Sequence, residues 1–441
     1  MKILNEASNL IIFRFLPEPR IALKMSNEIV NPIAVMYNKP YSYDEAIDGS
    51  QLAFFFRSKY KKQFKPIVKE LVTILSDEKK YGLTIPKERS EIQTYGSDPK
   101  NLNSLINEVR RKVDAKLYVM GLPSKIINAR YFEIKALFLR EGIRVQLIKD
   151  DDFTSNYVQA SSYNKRMMLY NLANAIYTKL GGTPWIFSEP IADPNSIIVG
   201  VGFGRVEETI YIGTSYVKDI YGVDLEFKLI PKFALHDVKT QGLYLPQDRL
   251  KKLLDGLLSR YNPQSIYFYK TSRFIPRELV VFSEYIDKVK LILVYINRFR
   301  SLRAFEDKST VRRGLLVGLK DLQYVNSFKH VKFLLWTTGN LILVETDRKY
   351  NHRLGTPKGL EVNVFTNSDE IIGQNELSIM SFEEFIGEQI LALTKLNWNT
   401  LAWEIREPAI TVFARKAARI AAELERLGAG STRPYDVRDF I

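Results

Sequence analysis

Three strand-like segments in succession, the apolar run "SIIVGVGF" (196–203) and the alternating "ETIYIGTSYV" (208–217) and "LEFKLIPKF" (225–233), constrain this chain more than any other feature. Connections this short join consecutive strands into an antiparallel meander. The first segment carries Gly200, Gly202 and Gly204. A dinucleotide-binding loop is excluded there. The spacing is G-x-G-x-G, with Arg205 where the last glycine is needed, and the next segment alternates like a strand, whereas a pyrophosphate cradle must open a helix. The glycines instead suit a core strand at a bulge or a close approach.

After the meander, "QDRLKKLLDGLLSRY" reads as a helix, "QSIYFYK" as a strand, "RELVVFSEYI" as a helix and "KLILVYI" as a strand. A three-strand meander followed by alternating helices and strands is the order of a ribonuclease H-like fold. In such nucleases the first strand ends in an aspartate, because two metal ions about 4 Å apart need carboxylates to hold them. Here it offers glycine and phenylalanine.

The first half alternates differently. Ser58 to Ser76 is helical in spacing, "KLYVM" (116–120) is a buried-strand candidate, Ile126 to Arg140 is helical, and "RVQLIK" (144–149) is a strand. Strands separated by helices imply a parallel sheet, so the fold class is α/β, with a Rossmann-like first unit. The polar stretch from Lys149 to Lys165 reads as a loop and linker, and a domain boundary is placed there. A helix from about Lys165 to Leu180 then stops at Gly181 and Gly182. A long C-terminal helix runs from about Ala409 to Leu427.

Composition removes much chemistry. The 441 residues include no cysteine, which excludes disulfides, thiolate metal sites and a cysteine nucleophile. The three histidines, His236, His330 and His352, lie far apart in sequence, so a zinc site or a serine–histidine–aspartate triad has few builders. A formal charge of +14 favours polyanionic partners, nucleic acid before an anionic membrane surface. No stretch approaches the roughly 18 to 20 apolar residues of a membrane helix. The start has no signal-peptide layout, so the cytoplasm is the expected compartment.

"NLANAIYTKLGGTPWIF" (171–187) is similar to a signature of Argonaute proteins. In order there follow "GTPKGLEV" (355–362), "ILALTKLNWNT" (390–400), a C-terminal helix beginning "EPAITVFARKAARIAAEL", and the final aromatic–aliphatic pair Phe440 and Ile441. The resemblance covers the chain from about Pro32 onward. Its length has room for the MID and PIWI domains only, so the chain resembles a short prokaryotic Argonaute without N and PAZ domains. That implies an N-terminal extension (1–35), a MID domain (36–165) and a ribonuclease H-like PIWI domain (166–441).

The resemblance also implies guide-directed nucleic-acid binding, with the MID domain gripping the guide strand's 5'-phosphate. The family's four gripping residues fall on Tyr131 and Lys135, one helical turn apart on one face, then Gln146, and Lys179 of the lysine–leucine–glycine–glycine run. Their chemistry suits the role. A tyrosine ring stacks on a base while its hydroxyl donates to phosphate, two ammoniums supply charge, and an amide adds a hydrogen bond. In relatives with a metal-assisted pocket the C-terminal carboxylate joins a divalent ion, which would be Ile441 with Mg²⁺. One turn before Lys179, however, relatives carry a glutamine or second lysine and this chain has Ala175, with Asn171 and Asn174 as the nearby substitutes. Arg415, Lys416 and Arg419 begin the last helix, and Arg419 is the candidate contact to the guide backbone.

The family's cleavage site needs four acidic or histidine ligands. By motif, three of these positions fall on Gly202, Thr271 and Phe413, the last within one or two residues, and none carries a carboxylate or an imidazole. No catalytic metal and no cleavage are therefore expected, and Asp219 and Asp224 read as surface residues. The expected function is a protein that loads a 5'-phosphorylated guide, RNA by preference, and pairs it with invading DNA. A protein that cannot cut has to signal onward, so the resemblance further implies an APAZ-containing partner and an effector in defence. Two alternatives stand beside it: a nuclease with an unorthodox acidic set, and a scaffold for protein partners. Basic segments at Arg57–Lys69, Arg110–Lys112, Asn297–Arg303 and Val311–Gly314 suit a guide–target channel, the first being equally a solvated helix face.

Overall fold

The computed structural model describes residues 13–43, 47–234, 243–297, 313–319, 322–325, 327–338, 358–368, 376–402, 405–429 and 436–440. Its chain opens with β1 (Phe13–Phe15), β2 (Ile21–Leu23) and β3 (Ser26–Ile29). A βαβ series follows: β4 (Leu52–Arg57), α1 (Lys61–Ser76), β5 (Ile92–Tyr95), α2 (Leu102–Lys112), β6 (Leu117–Leu122), α3 (Ser124–Arg140) and β7 (Arg144–Lys149). These strands form one parallel sheet in the order β5-β4-β6-β7. Sequence reading had α1, β6, α3 and β7 of this series, but not β5, α2 or β4. Five of its six residues, in "LAFFFR", are buried on both faces, so it shows no alternation to read. Phe54 and Phe56 pack toward α1, whose Phe64, Ile67, Val68, Leu71 and Leu75 recur at helical spacing. Ala53 and Phe55 pack on the other face with α2 and α3.

The stretch from Lys149 to Lys165 is not a loop. It forms α4 (Asp150–Gln159) and the first turn of α5 (Ser162–Leu180). Its polarity is capping chemistry. Three aspartates occupy the first turn of α4, where the helix dipole favours anions. Buried Asp150 accepts from Arg57 Nε at 2.7 Å, and Asp151 accepts from the Ser124 amide at 2.9 Å, tying down the start of α3. Gly181, at φ +125°, ends α5 in a conformation that only glycine adopts easily.

After β8 (Ile186–Phe187) comes the meander: β9 (Ser196–Arg205), β10 (Ile210–Lys218) and β11 (Asp224–Ala234), all antiparallel. Then come α6 (Gln247–Tyr261), β12 (Ser265–Lys270), α7 (Pro276–Ser283) and β13 (Lys290–Asn297), with β12 parallel to both β9 and β13. The sheet continues through β14 (Leu315–Gly318), β15 (Gln323–Val325), β16 (Phe328–Leu335) and β17 (Leu360–Thr366). It has ten strands, in the order β1-β14-β16-β17-β13-β12-β9-β10-β11 with β15 on β16. The β9-to-β13 order is the one expected from the sequence. Two helices complete the fold, α8 (Glu376–Thr394) and α9 (Ala409–Arg426), α9 lying across β9 and β10 and against α3. The N-terminal strands are built in: β1 pairs with β14, and β2 pairs with β3 and β8. Among the described residues no helix is long and apolar enough to cross a membrane.

Candidate nucleic-acid interface

Three elements converge beside the parallel sheet's β7 edge: α3, the C-terminal turn of α5 and the middle of α9. α3 is apolar on the face covering the sheet, and its register puts Tyr131 and Lys135 one turn apart. The Lys135 ammonium lies 5.9 Å from the Tyr131 ring centre and donates to the Val145 carbonyl of β7 at 2.8 Å. Gln146 is the next residue on that strand, half-buried, its amide nitrogen 3.3 Å from the Leu147 carbonyl. Lys179, the last basic residue of α5, donates to Asn399 Oδ1 at 2.8 Å. Lys135 and Lys179 are only 4% and 2% exposed.

The electrostatics of this corner are unusual. Burial, and after it the Lys416 charge, push the Lys135 ammonium down to about 7, with Asp439 opposing both. Lys179 is held well below the ordinary lysine range by burial, then by Lys135, Lys416 and Arg144. Lys416 on α9 is itself lowered by burial and by Arg415. Among the described residues no carboxylate pairs with Lys179 or Lys416. Buried lysines that depress one another make a corner which an anion with several oxygens would relieve. Burial also raises the Tyr131 hydroxyl to about 12, so it stays a donor at neutral pH.

Sequence reading did not assign Arg144, Lys416 or Asn399. Arg144 donates to the Lys179 carbonyl at 2.6 Å, satisfying the end of α5, and its Nε donates to Asp439 Oδ1 at 2.7 Å. It thereby ties the C-terminal segment to the corner, where Phe440 is buried beside Phe227. All three stand inside quoted segments, beside Gln146, Arg415 and Trp398, but nothing in their spacing announces a shared site. Arg419 is exposed, its guanidinium 3.8 Å from the centre of the Phe132 ring at the α3–α9 contact. Ile441 lies outside the described residues.

Among the described residues few oxygens are left for a divalent ion. Asn171 Oδ1 accepts from the Leu401 amide at 2.6 Å, Asn174 Nδ2 donates to the Trp398 carbonyl while its Oδ1 is buried without a partner, and Ala175 offers nothing. Asp439 and Asp436 face Arg144. The asparagines clamp the Leu396–Leu401 segment against α5, beside a corner in which the described ammoniums outnumber the described carboxylates.

On the other side of α9, the glycines of β9 face its backbone. A Cβ on Gly200 would meet the Ile410 carbonyl at 2.7 Å, and one on Gly204 would meet Ala418. A Cβ on Gly202 would meet Ala414 and the Arg415 amide, the latter at 2.5 Å. Ile410, Ala414 and Ala418 recur every four residues, so strand and helix approach along a row of missing side chains. Ala414, rather than Phe413, faces Gly202, while Phe413 points into the core beside Tyr216. Thr271 follows the buried Lys270–Glu278 ion pair, 2.6 Å apart. Asp224 is not an ordinary surface residue, since it pairs with buried Lys218 and takes the Tyr216 hydroxyl. Asp219 accepts the Tyr221 and Val223 amides of its own turn at 2.9 and 2.8 Å. Among the described residues no three aspartate, glutamate or histidine side chains converge.

No protein-family model and no curated protein sequence matches this chain. Solved structures do. The structure of Clostridium butyricum Argonaute bound to a guide DNA (5' deoxycytidine) and a 19-mer target DNA superposes with a TM-score of 0.69 at 16% identity, over 98% of this chain and 55% of that one. The A. aeolicus Argonaute gives 0.62 at 14% identity over 92% and 52%. The structure of Aa-Ago with externally bound siRNA gives 0.67 at 15% over 97% and 56%. The chain therefore has an Argonaute fold and spans about half the length of these proteins.

Proposed function

We propose that this protein, a short Argonaute of MID and PIWI domains, holds a short guide strand by its 5'-phosphate and pairs it with a complementary target without cutting it. The observation that carries the reading is the convergence of buried Lys135 and Lys179 with Lys416, whose charge lowers both of theirs. Tyr131 stacks on the first base, Gln146 adds an amide donor, and Arg419 meets the guide backbone beyond. The phosphate is held by ammoniums without a metal ion. Absence of cleavage is supported by the Gly202 position, where α9 backbone fills the space of a ligand side chain. Recognition is then passed to an APAZ-containing partner and its effector, in defence against invading DNA.

The test compares 5'-phosphorylated and 5'-hydroxyl guides, RNA and DNA, in wild type and in Lys135→Ala/Lys179→Ala. Charge-assisted hydrogen bonds contribute about 1.5–3 kcal/mol each, so the double variant should lose at least about tenfold in affinity for the phosphorylated guide. Chelating divalent cations should not change the wild-type affinity. Guide-loaded protein with complementary DNA or RNA in Mg²⁺ or Mn²⁺ should return the target uncut. Equal affinity for both guide ends, or a site-specific cut, would sink the proposal.

A further inference from the structure

α1 is built against its own electrostatics. Its first turn contains no acidic residue and its N-cap, Tyr60, makes no side-chain cap, yet Lys59, Lys61 and Lys62 crowd this end, where the helix dipole disfavours cations. Lys61, Lys65 and Lys69 then recur every four residues along one exposed face. Like charges at that spacing destabilise a helix. Among the described residues none of these lysines has an acidic partner. The stripe walls a cleft of about 450 Å³ that Lys87, Ser90 and Glu91 close on the far side, with Glu91 its single carboxylate.

We infer that this cleft is a second, sequence-independent site for a nucleic-acid phosphate backbone, separate from the phosphate corner. The cleft lies along β5, and the corner lies along β7, at the opposite edge of the four-stranded sheet. α1 also covers the sheet face opposite to α3. Four residues of helix rise about 6 Å, so the ammoniums form a line whose spacing matches every second phosphate of a strand, at about 3.4 Å per nucleotide. A linear array of point charges suits a polyphosphate chain, which compensates the repulsion within α1 along its whole length.

The experiment uses the full chain and a 20-base-pair DNA duplex with 5'-hydroxyl ends, titrated between 50 and 300 mM KCl. Replacing three exposed lysines by Lys61→Gln, Lys65→Gln and Lys69→Gln should weaken duplex binding at least about tenfold at the lowest salt. It should also reduce the slope of log K against log salt by about 2 to 3. The affinity ratio for phosphorylated over hydroxyl guides should not change, which separates this result from failure of the guide pocket. In wild-type protein, amine acetylation read by mass spectrometry should show Lys61, Lys65 and Lys69 protected by the duplex, independently of any variant's folding. An unchanged slope, unprotected lysines, or equal protection by poly-glutamate would overturn the inference.

Discussion

Lys135 shows how a single side chain can make guide binding depend on pH. In the unfolded chain its ammonium holds its proton to about 10.4, and in the folded, guide-free protein only to about 7. Between these values the folded state binds fewer protons than the unfolded one, so this group's contribution to stability rises with pH across that window. A phosphate dianion favours the charged form and draws a proton back. Affinity for a 5'-phosphorylated guide is therefore full below about pH 7 and falls above it, by at most about tenfold per pH unit. Fluorescence anisotropy at pH 6.5, 7.5 and 8.5 with phosphorylated and hydroxyl guides measures this directly. Parallel profiles for the two ends would show that Lys135 does not face the phosphate. At this scale the sequence was informative. Tyr131, Lys135, Gln146 and Lys179 were singled out together, and the structure sets Lys135 against Tyr131 and against the strand that carries Gln146, with Lys179 close enough to feel its charge. Lys416 was named only as a neighbour, because a helical lysine gives no sequence sign of the distant charges it will meet.

Among elements, the contact of β9 with α9 explains the glycines that opened the sequence question. An alanine at Gly202 would press its Cβ into the α9 backbone, which cannot move aside as a flexible side chain would. Overpacking of this kind costs about 1–3 kcal/mol, so Gly202→Ala should lower the urea midpoint, and Gly202→Asp should lower it further without creating a cut. Gly256 in α6 is the control: a Cβ there meets only Lys228 Nζ, at 3.7 Å. Gly256→Ala should stabilise by about 1 kcal/mol through helix propensity. The same substitution thus has opposite signs at two glycines, and equal effects would refute the close-approach account. Sequence patterning located the meander, although β9 is itself buried at nine of its ten residues. It missed β4, apolar on both faces, and it misread the three aspartates of α4 as loop because capping and solvation use the same residues. It placed the fourth ligand position at Phe413 within one or two residues, a latitude that includes Ala414 and matters because one residue turns a helical side chain by about 100°.

For the whole molecule, the lysine corner lies where the two halves of the chain meet. α3 comes from the parallel-sheet half, while α9 and Phe440 come from the other end of the sequence, and their apolar side chains share one cluster with Ala136, Leu139, Ile420 and Leu424. Arg144 reinforces the joint by bonding both α5 and Asp439. A ligand held at this seam touches residues more than 200 positions apart, so it binds only when both halves are folded and docked. Binding to the native state alone stabilises by about 2.7 kcal/mol at a guide concentration a hundred times Kd. Unfolding entropy scales at about 2.1 cal/mol/K per residue, which for a chain of 441 residues converts that stabilisation into a Tm rise of about 3 °C. Scanning fluorimetry with a 5'-phosphorylated guide should show the rise, and the hydroxyl guide at the same concentration should give less. Lys179→Ala should abolish the difference between them. A rise that ignores the 5' end would place the guide on the molecule's general positive surface instead of at the seam.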